Sequence, residues 1–208
     1  GRKHLRRASQ AENSAGAEVG ELSIIDDDFS SNITYTLSGT DADSFDIVDG
    51  KLKLKESVTA DFETKDSYSI TITASDDASH EASVSYTLQV TDTNDAPTVT
   101  NAIADQSVNE DSGLSFTVAS DAFNDVDSGD SLTYTATLAD GSELPSWLSF
   151  NASTRTFSGT PLNDNVGAIS VKVTATDGSS VAISDTFTLT INNTNDAPTV
   201  TNAIADQS

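Results

Sequence analysis

The chain contains no cysteine and no methionine, a single tryptophan, two histidines and only ten lysines and arginines among 208 residues. Without cysteine there is no disulfide framework, no thiolate metal site and no cysteine nucleophile. A fold of this size without disulfides can use bound metal as a staple instead. The two histidines offer little to catalysis. His4 lies in the basic opening residues and His80 in an acidic loop, Ser79-His80-Glu81, so the chain reads as a non-enzyme. No apolar run approaches the roughly 18 residues of a membrane-spanning helix, and no signal peptide is visible. This stretch therefore reads as soluble, and the missing initiator methionine as the mark of a piece of a longer polypeptide.

Acid is what the chain has in excess. Asp and Glu number 33, giving a formal net charge of −23. Four of the ten bases (Arg2, Lys3, Arg6, Arg7) fall in residues 1–9, a basic leader read as separate from the fold, of the kind an expression tag supplies. Its Arg6-Arg7-Ala8-Ser9 stretch is similar to a basophilic kinase acceptor. Only six bases then face 33 acids over the remainder. Such a surface repels nucleic acid and anionic lipid. The acids either keep the chain soluble or hold cations.

A string of fifteen residues, Thr-Asn-Asp-Ala-Pro-Thr-Val-Thr-Asn-Ala-Ile-Ala-Asp-Gln-Ser, occurs at 93–107 and again, letter for letter, at 194–208. The offset of 101 is one domain length, the signature of a tandem array. It divides the chain into a first domain (10–97), a second (98–198) and the start of another repeat (199–208). Period-two alternation recurs at the same offset. Ile70, Ile72 and Ala74 answer to Val171, Val173 and Ala175; Tyr86, Leu88 and Val90 answer to Phe187, Leu189 and Ile191. Apolar residues on one face and Ser/Thr on the other predict half-buried strands, with no long helical period competing. The expected fold class is all-β: two tandem Greek-key, Ig-like or cadherin-like β-sandwiches in an elongated arrangement.

The first half resembles a cadherin repeat. Ala11-Glu12-Asn13, Asp61-Phe62-Glu63, Ala74-Ser75-Asp76 and Asp92-Thr93-Asn94-Asp95-Ala96-Pro97 follow, in order, that family's Pro-Glu-Asn, Leu-Asp-Arg-Glu, Ala-x-Asp and Asp-x-Asn-Asp-Asn-x-Pro motifs. The last lacks the family's second Asn. The second half resembles the dystroglycan-type cadherin-like module of large bacterial surface proteins. Its carriers are Leu144-Pro-Ser-Trp147-Leu-Ser-Phe150, Phe157-Ser-Gly-Thr-Pro161, Ala175-Thr-Asp177-Gly and Asn195-Asp196-Ala-Pro198.

The resemblance implies calcium. It gathers Glu12, Asp61 and Glu63 at the end of the first domain, Asp92, Asn94 and Asp95 in the connector, and Asp125, Asp127 and Asp177 at the facing end of the second. Calcium takes six to eight oxygen ligands in flexible geometry, and no single loop here supplies that many. Eight of these nine residues are carboxylates, so two or three Ca²⁺ at the joint are expected to cancel their repulsion. Weaker candidates are Asp26, Asp28 and Asp76 at the start of the first domain, and Glu110, Asp164, Asn195 and Asp196 at the end of the second. There Asn193 stands where the first domain has Asp92, and Leu162 where it has Asp61.

Trp147, with Leu148 and Phe150 beside it, reads as a core anchor; an exposed tryptophan would instead be a stacking platform for polysaccharide. The sequons at Asn32, Asn151 and Asn192 carry little weight. The expected function is that of calcium-stiffened spacer repeats in an extracellular or surface-anchored adhesin, monomeric, with calcium and neighbouring repeats as partners. A calcium-dependent module for carbohydrate, or for another copy of itself, is the alternative.

Overall fold

A computed structural model describes residues 9–23 and 32–198. Residues 1–8, the candidate ligands Asp26 and Asp28, and residues 199–208 lie outside the described residues. The chain divides into two compact units, residues 1–94 and 95–208.

Among the described residues, the first unit contains β1 (Ser9–Ala11), β2 (Glu18–Glu21), β3 (Thr34–Ser38), β4 (Phe45–Val48), β5 (Lys51–Leu54), β6 (Ser67–Ser75) and β7 (Glu81–Thr91). Ser9, assigned to the leader from sequence, is thus the first residue of β1. One sheet has the order β1-β7-β6-β3 and the other β2-β5-β4. Strands β6 and β7 pair antiparallel with Ile70 opposite Tyr86 and Ile72 opposite Val84. Their inward residues Tyr68, Ile70, Ile72, Tyr86, Leu88 and Val90 meet Val19, Phe45, Leu52 and Leu54 of the other sheet in one core. Most outward residues are Ser or Thr, and some of their hydroxyls bond across strands, as Thr73 does to Ser83 at 2.8 Å. Strands β4 and β5 are joined through Asp49 (φ 52°) and Gly50 (φ 73°), the two left-handed residues that a tight hairpin with native twist requires.

Asp41 is buried beside this core. Its Oδ2 accepts the Ser69 N–H at 2.7 Å, and Lys65 forms an ion pair with its Oδ1 while resting 4.9 Å from the centre of the Tyr68 ring. The Lys65 ammonium and the Ser69 N–H hold the Asp41 carboxyl below the usual carboxylate range, so it stays ionised and tied to β6.

The second unit contains β8 (Thr98–Val99), β9 (Gln106–Asn109), β10 (Leu114–Thr117), β11 (Phe123–Asn124), β12 (Thr133–Leu138), β13 (Leu148–Asn151), β14 (Thr156–Gly159), β15 (Gly167–Thr176) and β16 (Ala182–Asn192). Its sheets β12-β15-β16-β9 and β10-β14-β13 repeat the strand order of the first unit, and β8 with β11 adds a two-stranded piece. In both units the opening strand joins the last one in parallel: β1 on β7, β9 on β16. The core holds Val171, Val173, Ala175, Phe187, Leu189 and Ile191, all buried. Phe157 packs at ring-centroid distances of 4.6 Å from Phe150, 5.6 Å from Phe187 and 6.2 Å from Phe116. Each such buried side chain contributes about 1.5–3 kcal/mol, which is how a fold without disulfides is held. Trp147 is half-buried against the same core, as a core anchor would be.

Residues 98–107, the first copy of most of the repeated string, are structural parts of this unit. Thr98 and Val99 pair with Asn124 and Phe123. Ile103 is buried and its N–H donates to Asp185 Oδ2 at 2.7 Å. Asp105 Oδ1 accepts the Thr188 N–H at 2.6 Å, and Gln106 and Ser107 begin the parallel pairing with β16.

Candidate functional site

In the first unit the chain leaves β1 and turns through Asn13, whose φ of 62° lies in the left-handed region that Asn tolerates. The turn points Glu12 inward, where it is only 4% exposed. Its Oε2 accepts the Phe62 N–H at 2.9 Å. Its Oε1 accepts the Thr93 N–H at 2.7 Å and the Thr93 hydroxyl at 3.1 Å. One carboxylate thereby ties the 61–63 loop to the chain just beyond β7. These donors, Phe62 first and then Thr93, hold its pKa below the ordinary value.

Asp61 accepts the Thr64 N–H and hydroxyl, both at 2.9 Å. Glu63 is different: it is half-buried, with both of its oxygens shielded from solvent. Burial, then the charges of Glu12 and Asp92, push its pKa up. Glu12, Asp61 and Glu63 each bring a carboxylate oxygen within 4.8 Å of the others. An anion whose oxygens are shielded from water is costly, and crowding by like charge adds to the cost. A cation relieves both.

In the second unit the loop after β11 carries Asp125 and Asp127. The Asp127 N–H donates to Asp125 Oδ1 at 3.1 Å, and the Asp95 N–H reaches Asp127 Oδ2 at 2.9 Å. Asp177, buried at the end of β15, is held by the Val181 N–H at 2.7 Å on Oδ1. Asp125, Asp130 and Asp177 form a second set of carboxylates within 4.8 Å of one another, and Asp125 Oδ2 is shielded without a partner. Asp130 was missed from sequence. The turn through Gly129 (φ 101°) brings it back, so that it also accepts the Gly178 N–H at 3.4 Å. The closely spaced acids 125, 127 and 130 were the available signal.

These two sets fit calcium: all-oxygen, mostly anionic, with carboxylate oxygens that no donor satisfies. Of the connector residues, Asp92 is exposed and bears electrostatically on Glu63, Asn94 is exposed, and Asp95 is half-buried.

The weaker candidates separate. At the start of the first unit, Asp76 is engaged internally. Its Oδ1 accepts the Ala78 and His80 N–H groups, both at 2.8 Å, and its Oδ2 lies 2.9 Å from His80 Nδ1. His80 is the chief reason that its pKa is lowered. At the end of the second unit, Glu110 repeats the placement of Glu12 and is 1% exposed. Its Oε1 accepts the Thr194 N–H at 2.6 Å and the Asn193 amide at 2.9 Å, while Oε2 has no partner. The Asn163 amide donates to Asp196 Oδ2 at 3.2 Å, and that of Asn195 to the Asp196 carbonyl at 3.3 Å. Leu162, opposite Asp61 in the alignment, is 59% exposed. Among the described residues, Glu110, Asp164 and Asp196 do not converge to within 4.8 Å.

Two domain types are therefore arranged in tandem, all-β and carboxylate-rich at their ends. Residues 6–92 match the model of the cadherin domain, and residues 96–192 that of a putative Ig domain. The chain is 35% identical over 118 residues to the serine-rich adhesin for platelets of Staphylococcus aureus strain USA300, a stretch of 57% of this chain but only 5% of that protein. Among solved structures it is similar to human protocadherin-24 EC1-2, with TM-score 0.63, 21% identity, and coverage of 92% of this chain and 94% of that one. Mouse cadherin-23 EC22-24 gives TM-score 0.59 and 23% identity over 89% of this chain and 62% of that one. The fold is that of cadherin ectodomains, and the repeats resemble domains of adhesin and cadherin extracellular regions.

Proposed function

We propose that the chain is a pair of spacer repeats in an extracellular or surface-anchored adhesin, the second of dystroglycan type, stiffened by calcium at the connector. One observation carries this reading: each unit gathers a carboxylate set around its own portion of the connector. Glu12 binds Thr93 in the first unit, and Asp127 binds the Asp95 N–H in the second. Glu12, Asp61, Glu63 and Asp92 supply the ligands on one side, and Asp125, Asp127, Asp130 and Asp177 those on the other. Asn94 and Asp95 complete the set, enough for two or three Ca²⁺. The ion supplies positive charge that the neighbouring residues lack. Two like unit charges 4 Å apart cost roughly 4 kcal/mol at an effective dielectric near 20, and a calcium ion between them reverses the sign.

Glu63→Gln tests the reading. It keeps the shape of the side chain and removes one charge. Calcium titration should show at least a tenfold weaker tightest site. In EDTA the variant should melt no lower than the unmutated chain, since it sheds one of the crowded like charges. An unchanged calcium affinity would remove Glu63 from the ligand set.

A further inference from the structure

We propose that β12 is a docking edge for a second copy of this chain. The two β12 strands pair antiparallel about a twofold axis at Thr135 and join two sheets, side by side, into one.

Strand β12 ends its sheet: the order is β12-β15-β16-β9, and no strand lies beyond it among the described residues. At six residues it is the longest edge strand described. Proteins usually blunt such an edge with lysine, proline or a bulge. The sequence Thr-Tyr-Thr-Ala-Thr-Leu has no lysine, no proline and no charge, in a chain with 33 acids. Its register against β15 is unbroken. The β2 edge of the first unit, by contrast, is bulged and bears Glu18 and Glu21.

The ladder decides which backbone groups are free. In an antiparallel pair, alternate residues bond to the partner strand and the others point away from it. The Ala139 N–H donates to the Ser170 carbonyl at 2.9 Å, so Thr133, Thr135 and Thr137 are the residues bonded to β15. Tyr134, Ala136 and Leu138 turn their backbone groups outward. The turn after β12 uses those of Leu138: its N–H donates to the Ser142 carbonyl, and its carbonyl accepts the Gly141 N–H, both at 2.9 Å. Tyr134 and Ala136 remain as the docking pair. The side chains mark the same open flank. Leu132, Tyr134 and Ala136 pack on the core but are only half-buried, whereas Val171, Val173 and Ala175 of β15 are 0% exposed.

This edge is its own complement, which identifies the occupant. With Thr135 on the axis, Tyr134 faces Ala136 of the second copy, and each pair exchanges backbone hydrogen bonds in both directions. A large side chain meets a small one on the core side, and Leu132 meets Leu138. On the outward face Thr133 meets Thr137, and Thr135 meets its own counterpart, pairings that support strand association. A twofold contact of this kind closes at the dimer. A few hydrogen bonds and a narrow apolar strip, set against the cost of association, give a dissociation constant of about a millimolar. Dilute chain is therefore monomeric. The net charge of −23 opposes the approach of two copies, and salt screens it, so pairing strengthens as salt rises.

Single cysteines read the register, because the chain has none of its own. The Thr135 residues form a non-hydrogen-bonded pair across the axis, with Cα atoms about 4.5 Å apart, within disulfide reach. Thr133 is equally exposed on the same strand but faces Thr137 rather than itself. At about millimolar concentration in EDTA under mild oxidation, Thr135→Cys should form covalent dimer at least about tenfold faster than Thr133→Cys. Equal rates, or no dimer from either, overturn the proposal. Sedimentation equilibrium checks it without a cross-link. The unmutated chain should move towards dimer mass at a few millimolar, further in high salt than in low. Thr135→Lys, which sets two ammonium groups face to face on the axis, should stay monomeric. An unmutated chain that stays monomeric, or a lysine variant that matches it, overturns the proposal as well. Every arm is run without calcium, so its failure is distinct from failure of the spacer reading.

Discussion

Replacing both Asp95 and Asp127 by alanine should weaken the tightest calcium binding by at least about 100-fold. Affinity at such sites is tuned by the number of charged ligands. If each carboxylate contributes even a third of the roughly 4 kcal/mol of a unit pair at 4 Å, its loss is tenfold and the pair's loss a hundredfold. The change is not a general destabilisation. Asp127 is held through its partners in a surface loop and Asp95 is half-buried in the connector, and neither fills the core. The melting transitions in EDTA should therefore stay within a few degrees of those of the unmutated chain. Extracellular calcium modules bind at about 10⁻⁴–10⁻³ M, so the variant should show no saturation at a few millimolar. Saturation at the unmutated concentration would take these two residues out of the site.

Gly159→Ala should be the most damaging single methyl in the second unit. Gly159 is the last residue of β14, the middle strand of its sheet, and pairs with Leu148 on one side and Leu114 on the other. A Cβ at this position would lie 1.9 Å from the Trp147 carbonyl oxygen, 3.0 Å from its carbon and 3.2 Å from the Leu148 Cα. All three are backbone atoms, so no side chain can swing aside. Relief requires β13 to move away, which breaks its pairing and loosens Trp147 and Leu148 from the core. Overpacking commonly costs 1–3 kcal/mol, and a backbone obstacle puts this case at about 3 kcal/mol or more. For a domain near 100 residues that is a fall of at least about 12 °C in melting temperature. Calorimetry should show it in one of two transitions, the first unit's being unmoved. A shift of under 3 °C would mean that β13 and β14 are not packed this closely.

The fold was largely written in the alternation. Ile70, Ile72 and Ala74, and their counterparts Val171, Val173 and Ala175, are buried as the period of two requires, because a strand's two faces are a local property of the chain. The 101-residue offset led to the same strand order in both units. Burial of polar groups was not legible. Asp41 looks like any other acid of an acidic chain, and its place is set by Ser69 and Lys65, more than twenty residues away. Glu12 was found only through a family motif; its bonds to Phe62 and Thr93 span 50 and 81 residues. Asp130 escaped because its role depends on the turn at Gly129 rather than on a motif. The asymmetry between Glu12 and Glu110 was partly visible, since Asn193 and Leu162 replace acids. That the Asn193 amide would bond directly to Glu110 depends on how the chain leaves β16.

The proposed spacer role requires that calcium restrict how the two domains move against each other. Small-angle scattering of the same chain in EDTA and in a few millimolar calcium tests it most directly. Calcium should narrow the distance distribution and give it one well-defined maximum dimension, while EDTA broadens it and leaves the mass that of a monomer. Superimposable curves in the two conditions would contradict the claim.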